Sequence, residues 1–536
     1  MNLEIRLASV RVCLSIVLAL LSANLRANSY STDQITPAEW KALIADAQAF
    51  VSAEAAAHPR PFDPHPRKGT RNVAIFYHYF PQWFLSLDNK PTDQDFWSQP
   101  GKIVPAIPNP AADPQQYFGR MPISFNERPR TPPPYNSPYW RERNFAVDIL
   151  RASRIEATGF MVDLPQINSG AMWEAALSLC QVASRLPVGI AIVPEPGTAA
   201  LVAARTSPDQ VAKALIEFSR CPAAYRRNGG LMVTPFGADL EPVSYWRDVL
   251  DKMSVAGVKA TFVPVLLDPS PEHVTAFATI SDEMTTWGWS TVSQVNGNAI
   301  TVQRERLLSL AGKSHWIMPI RPQDVRPKSS SFWDSGNTQV YRATWERALQ
   351  DPNVDGVQVI TWNDFGEGSE VEPGSATNFL FYDLSGYYTS WILAGRQSPR
   401  ITADRIYYSM RTQDLSHAYV PAGRDAQSSS QAAEARVGLM KMPWPNQGLH
   451  QDIEMLAFLS APATLEVAIG DHRYRQDFAS AGVVSYSVPL EPGVAHFAIY
   501  RSGAKVAELT APFEIRALGP SDRVPNVFYF GGSDQD

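Results

Sequence analysis

The chain has 536 residues, of which 45% are hydrophobic and 19% are charged, so it can bury a sizeable core in two or three domains. A net charge of −6 gives no reason to expect a nucleic-acid or acidic-membrane partner. The nine His and three Cys show no zinc-ligand spacing, so we expect neither a metal site nor a cofactor.

The N-terminus has the pattern of a secretory signal peptide. Arg6 and Arg11 precede an apolar run at 13–23, and the small residue Ala27 stands before Asn28. An uncleaved membrane anchor is the weaker alternative, because polar residues end the apolar run early. We therefore expect residues 1–27 to be removed and the mature protein to be secreted or periplasmic.

A short N-terminal unit is predicted at 28–70. Thr36 can cap a helix that has Pro37 at its first position and Glu39 in its first turn, and this helix reaches about Ala57. The Pro-rich stretch that follows, at 58–68, is typical of a linker.

From residue 71 to 412, apolar strand-like runs alternate with helical runs. The eight predicted strands lie at 73–80, 159–164, 188–193, 231–235, 260–267, 284–289, 316–320 and 356–361. Strands that are apolar on both faces and alternate with helices indicate an α/β fold with parallel strands. We predict a (β/α)8 TIM barrel over a doubly wound open sheet, because no Gly-rich phosphate fingerprint follows any strand.

Two segments depart from this alternation. The connection at 82–139, rich in Pro and aromatic residues, either shapes a substrate cleft or is an inert surface excursion. After a predicted linker at 413–435, short alternating runs at 436–536 predict a C-terminal β-sandwich-like domain. Cys180 and Cys221 remain after the signal, and they form either a disulfide or two buried thiols.

Barrel enzymes carry their active-site residues at the carboxyl ends of the strands. The positions there are acidic and aromatic, and they include no nucleophile elbow or phosphate cradle. Carboxylates between aromatic walls suit glycosidic cleavage, in which one acid protonates the leaving oxygen and a second carboxylate activates water or attacks carbon. The candidate substrate-binding residues are His78, Tyr79, Asp163, Glu195, Trp287, Trp289, Trp362, Asn363 and Glu372.

The strongest candidate segment follows the eighth predicted strand. Asp364 and Glu367 stand three residues apart, and a turn at Gly366 can bring both side chains over the barrel mouth. We therefore expect these two carboxyl groups to be the catalytic pair.

The segment at 360–368, Ile-Thr-Trp-Asn-Asp-Phe-Gly-Glu-Gly, resembles the Trp-Asn-Asp-aromatic-Gly-Glu signature of glycoside hydrolase family 71, the α-1,3-glucanases or mutanases. The segments at 159–163 and 404–411 resemble two further motifs of that family, so the resemblance covers roughly 71–411. It implies an inverting enzyme in which Glu367 is the general acid and Asp364 the general base.

The continuation at 368–373, Gly-Ser-Glu-Val-Glu-Pro, differs from the Ser-His-Tyr usual in fungal members. It is similar to the ending of the motif in family 99 endo-α-mannosidases, which retain the anomeric configuration. We expect a secreted endo-α-1,3-glucanase that acts on poly- or oligosaccharide. The alternatives are a family 99-like α-mannosidase or mannanase and a non-catalytic glycan-binding barrel, the second disfavoured by the acid pair.

Overall fold

The computed structural model describes residues 34–64, 73–95, 97, 127–326, 331–395, 397–415, 420–422, 441–445, 449–517 and 527–536. The predicted signal peptide, much of the predicted 82–139 connection and most of the predicted 413–435 linker lie outside these residues. No helix within the described ranges is long and apolar enough to cross a membrane.

The helices are α1 Pro37–Ala57, α2 Trp140–Arg154, α3 Ala171–Arg185, α4 Thr198–Ala203, α5 Pro208–Phe218, α6 Val243–Val255, α7 Pro271–Ala278, α8 Val292–Asn296, α9 Ala299–Glu305, α10 Gln339–Gln350 and α11 Leu380–Leu393. The strands of the first part are β1 Ala74–Tyr79, β2 Gly159–Leu164, β3 Ala191–Pro196, β4 Arg226–Arg227, β5 Gly230–Val233, β6 Ala260–Phe262, β7 Val265–Leu266, β8 Thr285–Thr286, β9 Trp316–Ile320, β10 Asp324–Arg326, β11 Ser331–Trp333 and β12 Val354–Val359.

The predicted N-terminal helix is confirmed as α1. The Thr36 hydroxyl accepts the N–H of Glu39 (3.3 Å), and the Glu39 carboxylate accepts the N–H of Thr36 (2.8 Å). These reciprocal bonds form a capping box that satisfies two backbone donors at the helix start. α1 packs along α2.

The first part of the chain has a mixed α/β architecture whose main strands pair in parallel. The central sheet has the order β3-β2-β1-β12-β9, and β5 pairs in parallel with β6, as β7 does with β8. Backbone bonds also link these groups, running from Phe236 to Pro196 (3.0 Å), from Val265 to Pro235 (3.1 Å), from Thr285 to Pro264 (3.1 Å) and from Ile317 to Met284 (3.4 Å). Each predicted strand is thus bonded to the next along the chain, and the eighth to the first.

Alternate residues of these strands face two different apolar clusters. One buried cluster contains residues of β1, β2, β3, β5 and β9, namely Phe76, Met161, Val193, Met232 and Ile317. The residues between them, among them Ile75, Phe160 and Ile192, belong to the larger cluster under the helices. The strands therefore separate an inner core from an outer one, as side chains of period two require.

Some predicted bounds are wrong. The third strand, predicted at 188–193, lies at Ala191–Pro196. The predicted 260–267 strand is divided into β6 and β7 around Pro264, which has no N–H to give to a neighbouring strand. Helix α4 was not predicted, because its six residues are too few to show a helical period.

The C-terminal part begins earlier than the predicted boundary at 412. Its strands are β13 Arg405–Met410, β14 Gln413–Asp414, β15 Val420–Ala422, β16 Lys441–Pro445, β17 Asp452–Leu459, β18 Ala463–Ile469, β19 His472–Phe478, β20 Gly482–Pro489, β21 Gly493–Arg501, β22 Ala504–Ala517 and β23 Phe530–Ser533. They form sheets of order β20-β17-β13-β23 and β14-β22-β21-β18-β19. One buried apolar cluster, which includes Met455, Leu465 and Phe497, contains residues of both sheets.

Cys180 and Cys221 form a disulfide, with their Cα atoms 6.3 Å apart. This excludes the alternative of two free thiols. Cys180 lies on α3, whereas Cys221 lies in the turn after α5, so the bond ties two neighbouring helices together.

Candidate active site

A pocket opens at the carboxyl ends of the parallel strands, where the sequence predicted the site. Four carboxyl side chains line it, those of Asp163, Glu195, Asp364 and Glu367, together with Arg326. The other lining residues are Phe80, Gln82, Pro165, Met172, Gly197, Ala199, Ala200, Phe236 and Trp287. An acidic side thus faces a largely apolar and aromatic one.

Asp364 is held by its own loop. Its N–H donates to the Thr361 hydroxyl (2.8 Å), and its Oδ1 accepts the N–H groups of Gly366 and Glu367, each at 3.0 Å. Two backbone donors at one oxygen favour the ionised form of a carboxyl group. The turn that the sequence predicted at Gly366 therefore fixes the carboxyl group of Asp364 at the pocket wall.

Glu367 pairs with an arginine that the sequence did not indicate. Its Oε2 lies 2.9 Å from Nη2 of Arg326, and its carbonyl accepts the N–H of Val325 (2.8 Å). Arg326 is itself held by Asp324, whose Oδ1 accepts its Nε–H at 2.7 Å. The strand β10 thus reaches across to the loop after β12 through both backbone and side-chain contacts.

His78 does not line the pocket, contrary to expectation, but it forms a buried pair with Glu195, which does. Nδ1 of His78 lies 3.0 Å from Oε1 of Glu195, and Nε2 lies 3.3 Å from Oε1 of Gln358. Because Nε2 of Gln358 donates to the carbonyl of Thr286 (2.6 Å), its Oε1 is left as the acceptor, so Nε2 of His78 carries a proton. Burial raises the pKa of Glu195, and the contact with His78 opposes that rise. The pair fixes the Glu195 carboxyl group where it lines the pocket.

Trp287 supplies the main aromatic surface of the pocket. Its ring packs edge to face with Phe236 (centroids 4.3 Å apart) and with His78 (4.8 Å). The guanidinium of Arg321 lies 5.4 Å from its centroid. These contacts hold the indole in one orientation, which suits stacking against a sugar ring.

Three predicted substrate-binding aromatics do not line the pocket. Tyr79 donates its hydroxyl to Asp148 (2.8 Å), and the indole N–H of Trp362 donates to the same carboxylate (3.3 Å). Trp289 is buried against Trp316, with ring centroids 6.4 Å apart. All three belong to the outer apolar core, so the expectation that they contact substrate is corrected.

Asn363 and Glu372 are also absent from the pocket lining. Asn363 donates to the carbonyls of Phe80 (3.0 Å) and Trp83 (2.9 Å) and accepts the N–H of Phe80 (2.8 Å), which joins the loops after β1 and β12. Glu372 pairs with the buried Arg151 at 2.8 Å. These side chains hold the loop after β12 in place and do not line the pocket.

The pocket contains further residues that sequence reasoning missed. Arg326 comes from the short strand β10, while Met172, Ala199 and Ala200 come from the starts of α3 and α4. Their only sequence signal is that they follow predicted strands, and it is too weak to single them out. In the part of the chain that the structure describes, no group of three His, Cys, Asp or Glu side chains could hold a metal ion.

Comparisons with known proteins assign the chain to a family. A mutanase of Penicillium rubens is 24% identical over 318 residues, which is 56% of this chain and 66% of the mutanase. The GH99 endo-alpha-mannosidase of Bacteroides thetaiotaomicron is a structural neighbour with a TM-score of 0.43 at 13% identity, covering 61% of this chain and 99% of that one. The family model described as glycosyl hydrolase family 71 matches residues 137–519, a range that includes Asp163, Glu195, Asp364 and Glu367. This protein therefore belongs to glycosyl hydrolase family 71.

Proposed function

We propose that this glycoside hydrolase cleaves α-1,3-glucan from within the chain, with inversion at the anomeric carbon. The observation that carries the proposal is the pair Asp364 and Glu367, set three residues apart on one rigid loop and facing a pocket with a fixed Trp287. The similarity to a mutanase supports the choice of substrate.

The proposed scaffold is a (β/α)8 barrel followed by a β-sandwich. The backbone bonds that join the eight strands in chain order, and the eighth to the first, support the barrel. The inner apolar cluster corresponds to the packed interior that such a barrel has. Because β13 pairs with β17 and β23, we place the start of the C-terminal domain before Arg405.

In the proposed mechanism Asp364 is the general base and Glu367 the general acid. The two N–H donors on Oδ1 of Asp364 favour its ionised form, in which it would take a proton from the attacking water. Glu367 delivers its proton to the leaving glycosidic oxygen, and Arg326 holds the carboxyl group in position before substrate enters. Glu195, backed by His78, and the face of Trp287 would hold the sugar that reacts.

Secretion is part of the proposal. The predicted signal peptide at 1–27 would direct export, and the Cys180–Cys221 disulfide is the kind of bond that persists in an oxidising compartment.

The alternative of an α-mannan substrate is based on the continuation at 368–373, which resembles the ending of the family 99 motif. Within it, Glu372 is buried and pairs with Arg151, so this residue has a structural role in the loop. The similarity to a mutanase supports glucan as the first substrate to test.

The test uses the purified protein on α-1,3-glucan, with product anomers followed by NMR before mutarotation. We expect the β-anomer first, because inversion of an α-linkage produces it. Glu367→Gln and Asp364→Asn should each lower turnover by about 10²-fold or more. An initial α-anomer would contradict inversion, and cleavage of α-mannan without action on α-1,3-glucan would contradict the substrate.

A further inference from the structure

Asp163 stands at the end of β2 between two other carboxyl groups. In the parallel pair of β2 and β3 it is in register with Glu195, and both side chains line the pocket. Asp364 reaches the same pocket from the loop after β12 and is close enough for its charge to act on Asp163. A Cβ atom at Gly197 would lie 3.0 Å from Oδ1 of Asp163, so the carboxyl group rests against the backbone of the chain after β3.

Each of the other three pocket carboxyl groups has a contact that stabilises negative charge. Glu367 has Arg326, Glu195 has His78, and Asp364 has two backbone N–H donors. For Asp163, the described residues provide only the N–H of its neighbour Leu164 and no cationic side chain. Four carboxyl groups in one small pocket cannot all be ionised without strong repulsion. The carboxyl group without a counter-charge is then the one that stays protonated.

We infer that Asp163 binds substrate as an uncharged carboxylic acid that donates its proton, in a hydrogen bond, to a hydroxyl oxygen of the bound sugar. Burial raises the pKa of Asp163 well above its usual range, and the charges of Glu195 and Asp364 raise it further. The other charged side chains that line the pocket are Glu195, Asp364, Glu367 and Arg326, and three of these four are acids.

The proposed role of Asp163 follows from the hydrogen bonds that a sugar hydroxyl group forms. A hydroxyl group both donates and accepts hydrogen bonds, whereas a carboxylate only accepts them. With Glu195 and Asp364 as acceptors, a protonated Asp163 is the donor on that wall of the pocket. The inference rests on the proposed function for the identity of the sugar but not for the protonation state of Asp163.

The first experiment measures that state directly and needs no substrate. Infrared difference spectra at pH 7 compare the wild type with Asp163→Asn. We expect the carbonyl stretch of one protonated carboxyl group in the wild type, and its loss in the variant. A spectrum that instead shows the loss of one carboxylate band would overturn the inference. Asp209→Asn, an exposed carboxyl group outside the pocket, should show only the carboxylate change.

The second experiment measures kcat/KM on α-1,3-glucan across pH. Asp163→Asn keeps an N–H donor and should stay within about tenfold of the wild type, whereas Asp163→Ala should lose about 100-fold or more. Because a protonated Asp163 carries no charge at the pH where Glu367 loses its proton, the alkaline fall should stay in place in Asp163→Asn. If Asp163 is charged instead, its removal lowers the pKa of neighbouring acids and moves the alkaline fall to lower pH.

The two experiments separate this inference from the proposed function. A wild type that leaves α-1,3-glucan intact contradicts the function, while the infrared result still decides the state of Asp163. An active wild type whose Asp163→Asn variant is as impaired as Asp163→Ala contradicts the inference alone.

Discussion

The contact between Arg326 and Glu367 bears directly on the proposed role of Glu367 as general acid. At 2.9 Å, a guanidinium favours the ionised form of the carboxyl group, and Asp324 keeps the guanidinium in place from behind. In the wild type, Glu367 must therefore take up its proton against this attraction in order to act as a general acid.

Replacing Arg326 with Gln removes the charge that favours ionised Glu367. The protonated form then persists to higher pH, so the limb of the kcat/KM profile that Glu367 governs moves to higher pH. We expect this to be the alkaline limb, because Glu367 is the proposed acid. Arg326→Lys keeps the charge and serves as the matched control. If Arg326→Gln shifts the acidic limb of the kcat/KM profile instead, the roles of Glu367 and Asp364 are reversed. If neither limb shifts, the charge of Arg326 does not affect the pKa of Glu367.

At the scale of single residues, the sequence predicted which carboxyl groups line the pocket better than it predicted which aromatic residues do. Asp163 and Glu195 lie at the carboxyl ends of β2 and β3, Asp364 follows β12, and all three line the pocket. His78 and Tyr79 are neighbours on one strand, so only one of them can face inward, and Tyr79 turns outward to Asp148. The two-residue period of a strand was available from the sequence and would have removed Tyr79.

Among the secondary-structure elements, α1 and α2 support the catalytic loop from the outside. Arg151 of α2 is fully buried and binds Glu54 of α1 (Nη2–Oε1, 2.6 Å) and Glu372 of the loop after β12 (Nη1–Oε1, 2.8 Å). It also donates to the carbonyl of Arg130 at 2.8 Å. One side chain thus connects the N-terminal helix, a barrel helix and the segment that carries the catalytic pair.

Arg151→Met should destabilise the protein strongly. Removing one member of a buried ion pair leaves Glu372 and Glu54 uncompensated, which costs about 3–5 kcal/mol. Urea unfolding followed by tryptophan fluorescence measures the loss. Arg154→Met, on the same helix and only half-buried, is the matched control and should cost about 1 kcal/mol or less. Equal losses in the two variants would show that the Arg151 network does not carry this stability.

Elements with strong local signals were predictable, and those made by tertiary contacts were not. The capping residues of α1 gave bounds that agree with those observed. The hairpin strands β10 and β11 have three residues each, so no period can show in the sequence. β10 nevertheless carries Arg326. The position of Arg326 beside Glu367 depends on how the chain folds back after β9.

At the scale of the whole molecule, the C-terminal part is bonded to the α/β part by buried polar groups. Glu454 of β17 accepts the N–H of Thr338 (2.9 Å) and pairs with Arg342 (2.9 Å), both at the start of α10. The chain end also returns to the active-site loop, where a Cβ atom at Gly368 would lie 2.6 Å from the ring of Phe528. The C-terminal part therefore supports the catalytic loop directly.

The sequence alone could not show that the C-terminal part supports the loop after β12. The predicted boundary at 412 followed a change in composition, but β13 already belongs to the C-terminal sheet through β17 and β23. Asp334 lies 3.4 Å from Arg411 and accepts the hydroxyl of Tyr529 at 2.6 Å. These partners are 77 or more residues apart, and no local pattern links them.

His450 gives this contact between the two parts a dependence on pH. Its Nδ1 lies 3.6 Å from Oδ1 of Asp334, and its backbone N–H donates to Oδ2 at 2.7 Å. The hydrogen-bonding and charge of the Asp334 side chain raise the pKa of His450, against the lowering effect of burial. A histidine whose pKa is raised by folding contributes stability that is complete below its unfolded pKa, about 6.5, and is lost as pH rises through the folded value.

We therefore expect His450→Gln to be less stable than the wild type at pH 6 and to approach it at pH 9. Glutamine keeps the backbone N–H bond to Asp334 and removes only the titrating charge. The free energy of unfolding, measured by urea denaturation at several pH values, gives the comparison. His315→Gln replaces an exposed histidine away from this contact and should follow the wild type at every pH. A deficit of His450→Gln that is the same at pH 6 and pH 9 would mean that His450 contributes by packing and not by its charge.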